Sequence, residues 1–285
     1  MRGRAVTARV SRAATRAATR GARRGVRLGA TSRSFALGAL SVIVLLAVWH
    51  LVTAGGFISA IFLPSPPQVL KQARRYLEDG SLLVHVLTSG RRVLGGFLLA
   101  ALVAVPLGIA LGTSPTAKSL FDPVLSIIRP LPSLSWIPLT ILWFGIDEAQ
   151  KYAIVFMGTF ASALLYVMES TRRVDPLLIK AAQNLGANRL DVLREVILPG
   201  SLPGIISGLK VCLALAWTCV LSAEMVAATH GLGALIWFAK DWNNMALVMV
   251  GMVSISITVL LIDSLFRVVE DRILPWERHT WRRDI

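Results

Sequence analysis

Charged side chains that interrupt long apolar stretches are the residues of this sequence best placed to do chemistry. Glu224 ends an apolar stretch from Pro203 in which Lys210 is the only other charge. A charge inside a membrane is costly, so such a residue is a candidate for a substrate path or a gate. At ~1.5 Å per residue, Glu224 lies roughly 30 Å along a helix that begins at Pro203, near one end of a span. Two interpretations stay open: a gate or contact to an external protein, and a carboxylate satisfied at a helix end.

Arg129 is the second candidate, because it lies in an apolar segment broken by prolines at positions 123, 130, 132 and 138. Irregular backbone at membrane depth is tolerated only where it lines protein or a water-filled cavity. A guanidinium pairs well with the oxygens of an anion. We therefore assign Arg129, Ser133 and Trp136, with Glu224, to a candidate translocation path. An ion pair between Arg129 and Asp122, or attraction to lipid headgroups, is the alternative.

No residue set in the sequence predicts catalysis or metal binding. There is no G-x-x-x-x-G-K-[ST] loop to cradle phosphates, and no acid, base and nucleophile in plausible proximity. The four histidines are scattered, and the two cysteines, Cys212 and Cys219, are interpreted as small core residues. We therefore expect a chain that is not an enzyme and holds no metal or cofactor of its own.

Composition indicates the element type that must position these residues. Hydrophobic residues make up 55% of the 285, charged residues 16%, and the apolar residues come in blocks of spanning length. The sequence predicts an all-α integral membrane domain over 35–266 with six transmembrane helices. The predicted spans are about 35–53, 93–112, 131–146, 152–168, 203–228 and 242–262.

The charge distribution predicts the orientation of those spans. The net charge is +14, and residues 1–34 contain ten arginines and no acidic residue. We interpret 1–34 as a disordered tail held in the cytoplasm by the positive-inside rule. A nucleic-acid-binding arm is disfavoured because no aromatic residue interleaves the arginines. Six spans then also place 170–202 and the C-terminal tail, 267–285, in the cytoplasm.

The polar segment 170–202 has the pattern helix, break, helix. Asp175 is a plausible N-cap before Pro176, and Gly186 lies where a helix C-terminus commonly becomes left-handed. A second short amphipathic turn is predicted to end at Leu198-Pro199, because proline cannot continue a helix. An ordinary connecting loop would also fit this pattern.

One motif in this segment resembles a known family. Lys180-Ala181-Ala182, then Gly186, then Val196-Ile-Leu-Pro199 resembles the EAA signature of permease subunits in bacterial ABC importers. Lys180 departs from the family pattern, in which glutamate is usual. The resemblance implies the type I ABC importer (MetI-like) fold, and makes 170–202 a cytoplasmic coupling loop whose short helix docks on an ATPase subunit. The ATPase-coupling residues it implies are Lys180, Ala181, Ala182, Gly186, Leu198 and Pro199.

Further motifs resemble the taurine, aliphatic-sulfonate and nitrate branch of that family. They are Leu63-Pro-Ser-Pro66, Asp122-Pro123 with Arg129-Pro-Leu-Pro132, Trp136-Ile-Pro-Leu139, Ile141-Leu-Trp-Phe-Gly-Ile146 and Glu224 with Gly231-Leu-Gly233. The resemblance implies a path for taurine or an alkanesulfonate. The same machine carrying nitrate, bicarbonate or another small solute is the alternative. An ion-coupled secondary transporter is the alternative from a different class, but neither a repeat of two halves nor a midplane acid is evident.

The resemblance also implies partners and location. The chain would work in a bacterial inner membrane, in contact with lipid, with both termini cytoplasmic and as a homodimer. Cytoplasmic ABC ATPase subunits would bind and hydrolyse Mg-ATP, and a periplasmic or lipid-anchored solute-binding protein would deliver the substrate. No nucleic-acid partner is expected.

Overall fold

The computed structural model describes residues 37–56, 58–59 and 61–275. The predicted Arg-rich tail 1–34 and the last ten residues of the chain lie outside these ranges. The described residues are helical and contain no strand. The chain divides after Gln68 into two units, each of which is described by itself.

The described part of the first unit contains one long helix, α1 (Leu37–Ala54), which is uncharged and predominantly apolar. The Trp49 indole donates to the carbonyl of Pro64 at 3.1 Å, so the proline-rich segment folds back on this helix. The amphipathic helix α2 (Pro66–Glu78) follows, and it spans the boundary between the units.

The second unit is a helical bundle. Its elements in chain order are α3 (Ser81–Thr113), α4 (Pro115–Ile128), a 3₁₀ turn (Ser133–Trp136), α5 (Ile137–Phe144), α6 (Glu148–Arg172), α7 (Pro176–Asn184), α8 (Arg189–Asp191), a π-helical turn (Val192–Ile197), α9 (Leu198–Ala227), α10 (Leu232–Asp241) and α11 (Met245–Ile273). Helices α3, α6 and α9 form its centre and hold most of the buried residues.

Glycines set the close packing of the three central helices. A Cβ atom added at Gly108 of α3 would overlap Val167 of α6, and one added at Gly208 of α9 would overlap Tyr166 of α6. Lipid gives apolar helices no hydrophobic drive to associate, so backbones must approach closely to gain contact energy. The Gly-rich and Ala-rich sequences of α3 and α9 therefore serve packing within the chain.

Five helices of the described residues are long and apolar enough to cross a membrane, and six if one bent pair counts as a single span. This confirms the predicted all-α membrane fold. Helix α3 begins at Ser81, well before the predicted second span at 93–112. The segment predicted as the third span, 131–146, forms the second arm of the bent pair, whose arms meet at 90°. The number of spans it supplies stays a prediction.

The prediction that a short helix ends at Leu198-Pro199 is wrong. Helix α8 continues through the π-helical turn into α9, and Pro199 occupies the first turn of α9. A π turn is wider than an α turn, which relieves the clash between a proline ring and the carbonyl four residues earlier. The last part of the predicted coupling loop is therefore already the beginning of a long helix.

Candidate functional site

Two regions at opposite ends of the bundle carry the candidate functional residues. The first, here called the loop end, is formed by residues 173–197, between the C-terminus of α6 and the start of α9. The second, here called the network end, is formed by the N-terminal third of α3, the start of α6 and the end of α9. Since α9 has 30 residues, the two ends lie about 45 Å apart along that helix.

At the loop end, α7 turns its apolar stripe away from the rest of the chain. Leu177, Leu178 and Leu185 are 69%, 55% and 89% exposed. Together with the exposed Ala181 they fall on one side of the helix by its 3.6-residue period. Large apolar side chains left exposed in one patch mark an interaction surface.

The opposite side of α7 faces a cleft within the chain. Pro176, Ile179 and Gln183 of α7 line this cleft of about 560 Å³, together with the loop ends of α3, α6 and α8. The remaining residues that line it are Gly112, Thr113, Thr171, Arg172, Val174, Arg189, Val192, Leu193 and Ile197. Helix α7 is thus held at a distance from the bundle, with its apolar stripe pointing outward.

The backbone of α7 is capped at both ends by its own sequence. Asp175 accepts from the amide of Leu177 at 2.8 Å, as the predicted N-cap. Gly186 has φ +91°, which confirms its predicted left-handed conformation. The amides of Gly186 and Ala187 donate to the carbonyls of Gln183 and Ala182 at 3.0 and 3.1 Å, which is the Schellman pattern. The helix is therefore preformed without a partner.

Four of the six predicted coupling residues lie within the loop end, and the other two follow it directly in the chain. Lys180, Ala181 and Gly186 are exposed on or directly after α7, and Ala182 is half-buried. The other two predicted residues, Leu198 and Pro199, begin α9 beyond the π-helical turn, half-buried and exposed respectively.

At the network end, Glu224 is fully buried and hydrogen-bonded by three groups of the chain. The Ser89 hydroxyl lies 2.8 Å from both carboxylate oxygens, Arg92 Nη1 donates at 2.8 Å and the amide of Gly233 at 2.9 Å. A buried charge is tolerated only when it is paired and hydrogen-bonded. The carboxylate of Glu224 therefore joins α9 to α3 and to the start of α10.

Arg92 is the centre of this network. Its guanidinium donates to Glu224, to the carbonyl of His230 at 2.6 Å and, through Nε at 3.0 Å and Nη2, to both oxygens of Glu148. Arg92 is buried while the side chain of Glu148 is 39% exposed. One guanidinium thus holds α3, the first turn of α6 and the α9–α10 connection together.

The glycines after Glu224 leave room for the carboxylate. Gly231 has φ +126° and ψ +162°, a conformation that is essentially restricted to glycine. A Cβ at Gly231 would overlap the Glu224 carboxylate, and a Cβ at Gly233 would meet the Glu224 side chain and the carbonyl of Leu221. His85 Nδ1 lies 2.9 Å from the Gly231 carbonyl oxygen. The Gly231-Leu-Gly233 motif therefore wraps around the buried acid.

The sequence reasoning singled out Glu224 but missed its partners. The predicted second span, 93–112, begins directly after Arg91 and Arg92 and so excludes both. Two features of the sequence could have indicated their role. Both arginines come directly before an apolar run, and Glu224, if buried, needs a cation to pair with. Ser89 and Glu148 gave no such signal, since only the fold brings them within reach.

The other candidate path residues lie elsewhere. Arg129 caps the C-terminus of α4 at the bend and is exposed, and no ion pair involving it is found among the described residues. Asp122, its proposed partner, pairs with Lys118 at 3.5 Å. Ser133 lies between α6 and α9, where its side chain and the Cys219 thiol would both meet a Cβ at Gly158. Trp136, at the end of the same 3₁₀ turn, is half-buried.

Similarity to known proteins agrees with this architecture. The family model of the binding-protein-dependent transport system inner membrane component matches residues 104–278. The taurine transport system permease protein TauC of Escherichia coli (strain K12) is 36% identical over 250 residues, covering 86% of this chain and 91% of that protein. The putative aliphatic sulfonates transport permease protein SsuC of Bacillus subtilis (strain 168) is 31% identical, covering 84% of this chain and 87% of that protein.

A nitrate permease and a solved transporter structure are also similar to this chain. The nitrate import permease protein NrtB of Leptolyngbya laminosa is 26% identical over 88% of this chain and 92% of that protein. A structure of the inward-facing MetNI methionine ABC transporter superposes with a TM-score of 0.56, at 21% identity, over 68% of this chain and 95% of the matched chain. The superposition shows the fold of a type I importer permease. This chain therefore belongs to the family of binding-protein-dependent transport system inner membrane components, the permease subunits of ABC transporters.

Proposed function

We propose that this permease forms the translocation path of an ATP-driven importer for a small anion, with taurine or an alkanesulfonate as the substrate. The observation that carries the proposal is the 36% identity to a taurine permease over 86% of this chain. The similarity to a sulfonate permease supports the same substrate class. The compounds share a compact sulfonate group that carries one negative charge.

Energy would enter at the loop end. The preformed helix α7, with its outward-facing leucines, would dock in a cleft on a cytoplasmic ABC ATPase, and Gly186, Leu198 and Pro199 would lie beside this contact. Binding and hydrolysis of Mg-ATP would take place on that partner, and closure of two ATPase subunits would push α7 and rock the rigid spans.

The network end is the proposed outer gate. Arg92 holds three elements together there, so opening that end requires breaking or moving its ion pairs, of which the pair with Glu224 is buried. A solute-binding protein that docks on this side would meet the exposed Arg91 and the half-buried Glu148 at the rim of the network. Ser133 and Trp136, in the 3₁₀ turn between α4 and α5, lie where this turn meets α6 and α9. Arg129, at the bend that follows α4, is proposed to attract the anion.

This assignment sets the orientation. The loop end, the Arg-rich tail and the C-terminus would be cytoplasmic, and the network end would face the periplasm. An Asn188→Cys variant should react with a membrane-impermeant thiol reagent only after the cells are permeabilised. Labelling from outside intact cells would contradict the orientation and with it the ATPase contact.

Uptake into proteoliposomes that contain the permease, its ATPase and its solute-binding protein tests the substrate. We expect ATP-dependent uptake of radiolabelled taurine that an excess of ethanesulfonate reduces and an excess of nitrate leaves unchanged. Inhibition by nitrate and not by ethanesulfonate would favour the nitrate alternative, which the similarity to a nitrate permease supports. Uptake driven by an ion gradient without ATP would exclude an ABC mechanism.

A further inference from the structure

The charges around α7 indicate what its partner surface must carry. Residues 170–202 contain five basic and three acidic residues. Two of the acids are engaged by the backbone: Asp175 accepts from the Leu177 amide at 2.8 Å and Asp191 from the Asn188 amide at 3.0 Å. The cations have less compensation, and among the described residues no ion pair is formed by Lys180, Arg189 or Arg194. The loop end therefore carries exposed cations, without an ion-pair partner among the described residues, around its apolar stripe.

Lys180 has a defined place on that surface. By the 3.6-residue period of α7 it lies next to Leu177 on one edge of the apolar stripe, three residues after it, and Asn184 continues the same edge one turn later. The cleft within the chain is on the other side of the helix, lined by Ile179 and Gln183. Lys180 therefore lies at the edge of any contact that buries the leucines.

Burying the leucines would remove part of the water around the Lys180 ammonium. An ammonium that loses water without gaining a partner weakens the complex, and none of the described residues of this chain supplies a carboxylate to it. The compensating charge must come from the protein that docks.

We infer that the surface that receives α7 carries a carboxylate opposite Lys180, so that the contact is a leucine-filled apolar cleft with one acidic edge. The inference rests on the proposed function, since it takes the partner to be the ATPase, and it adds the charge that this ATPase must present. It also predicts that the permease discriminates against ATPases whose cleft is basic or neutral at that point, because specificity arises as much from mismatched charges as from matched ones.

The test is binding of the purified ATPase to the full-length permease in nanodiscs, measured over a range of salt concentrations. Lys180→Gln should weaken binding about tenfold, and Lys180→Glu about a hundredfold, because the second variant replaces attraction by repulsion. Lys71→Glu on α2 makes the same charge change at an exposed position outside the loop end and should leave affinity unchanged. Equal affinity of Lys180→Glu and wild type would overturn the inference.

A zero-length carbodiimide cross-link identifies the carboxylate. It should join the Lys180 amine to an Asp or Glu of the ATPase, and Lys180→Arg should abolish the cross-link while binding is retained. A cross-link that does not involve Lys180 would also contradict the inference.

Leu185→Asp separates this inference from the proposed docking itself. If Leu185→Asp abolishes binding while Lys180→Glu does not, only the acidic edge is refuted. If neither variant affects binding, α7 is not the docking helix and the proposed coupling fails as well.

Discussion

The two ends of the bundle each contain a glycine with positive φ, but in opposite surroundings. Gly186 at the loop end and Gly231 at the network end both have positive φ, +91° and +126°. A Cβ at Gly186 would meet nothing within 4 Å, whereas a Cβ at Gly231 would overlap the Glu224 carboxylate. At the network end the chain pairs the buried Glu224 with its own Arg92. At the loop end apolar side chains and cations remain without partners among the described residues, as expected of a surface that another protein completes.

Of the substitutions that test this difference between the two ends, the one at Arg92 is expected to have the largest effect on stability. Replacing it by Met strands the buried Glu224 carboxylate without its cation, which should cost about 3–5 kcal/mol of stability. Thermal unfolding of the detergent-purified permease, followed by size-exclusion chromatography, measures the loss. The double variant Arg92→Met, Glu224→Met should be more stable than Arg92→Met alone, because it removes both charges. A single variant that melts like wild type would show that the network does not hold the end together.

The two glycines give the next largest contrast. Gly231→Ala combines a backbone conformation that costs about 1–3 kcal/mol in other residues with an overlap of the carboxylate. Gly186→Ala has only the left-handed backbone to accommodate, at about 1–2 kcal/mol. We expect poor expression and a clearly lower melting temperature for the first variant and a folded permease for the second. The reverse order would contradict the assignment of a packed end and an open end.

A smaller, local effect is expected at the loop end from Asn188. Its side chain accepts from the amides of Leu190 and Asp191 at 2.8 and 3.0 Å, and Asp191 accepts in return from the Asn188 amide. Asn188→Ala should therefore cost about 0.5–2 kcal/mol. Hydrogen exchange should show faster opening of α8 and the π-helical turn, with no change around Glu224. Exchange that also accelerates at the network end would show that the two ends are not independent.

The smallest effect on stability is expected at Arg91, which neighbours Arg92 in the network end. Arg91 reaches Glu148 at 3.4 Å, but its side chain is 65% exposed, in contrast to the neighbouring Arg92. Exposed ion pairs contribute about 0–1 kcal/mol, so Arg91→Gln should leave the melting temperature nearly unchanged. A loss as large as that of Arg92→Met would mean that exposure does not separate the two arginines.

Sequence reasoning reached the loop end more completely than the network end, and the reason is physical. The caps of α7 are local: Asp175, Pro176 and Gly186 act on backbone within a few residues, so their types predict the helix and its end. The network around Glu224 depends on residues from α3, α6 and α10 that only the packed bundle brings together. The π-helical turn before Pro199 was missed because proline signals the end of an α-helix and carries no mark of a wider turn.

The central claim is that the loop end receives the ATPase and the network end does not. The most direct test compares valine substitutions at two glycines that have free space around them. Gly186 and Gly80 both have positive φ, and a Cβ at either would meet no neighbouring atom, but Gly80 precedes α3. Both variants should fold with a similar backbone cost, since a β-branched residue is poorly suited to a left-handed conformation. We expect the ATPase to co-purify with Gly80→Val and to be lost from Gly186→Val. Co-purification with Gly186→Val at the wild-type level, together with wild-type uptake, would contradict the claim and leave residues 170–202 as a connector.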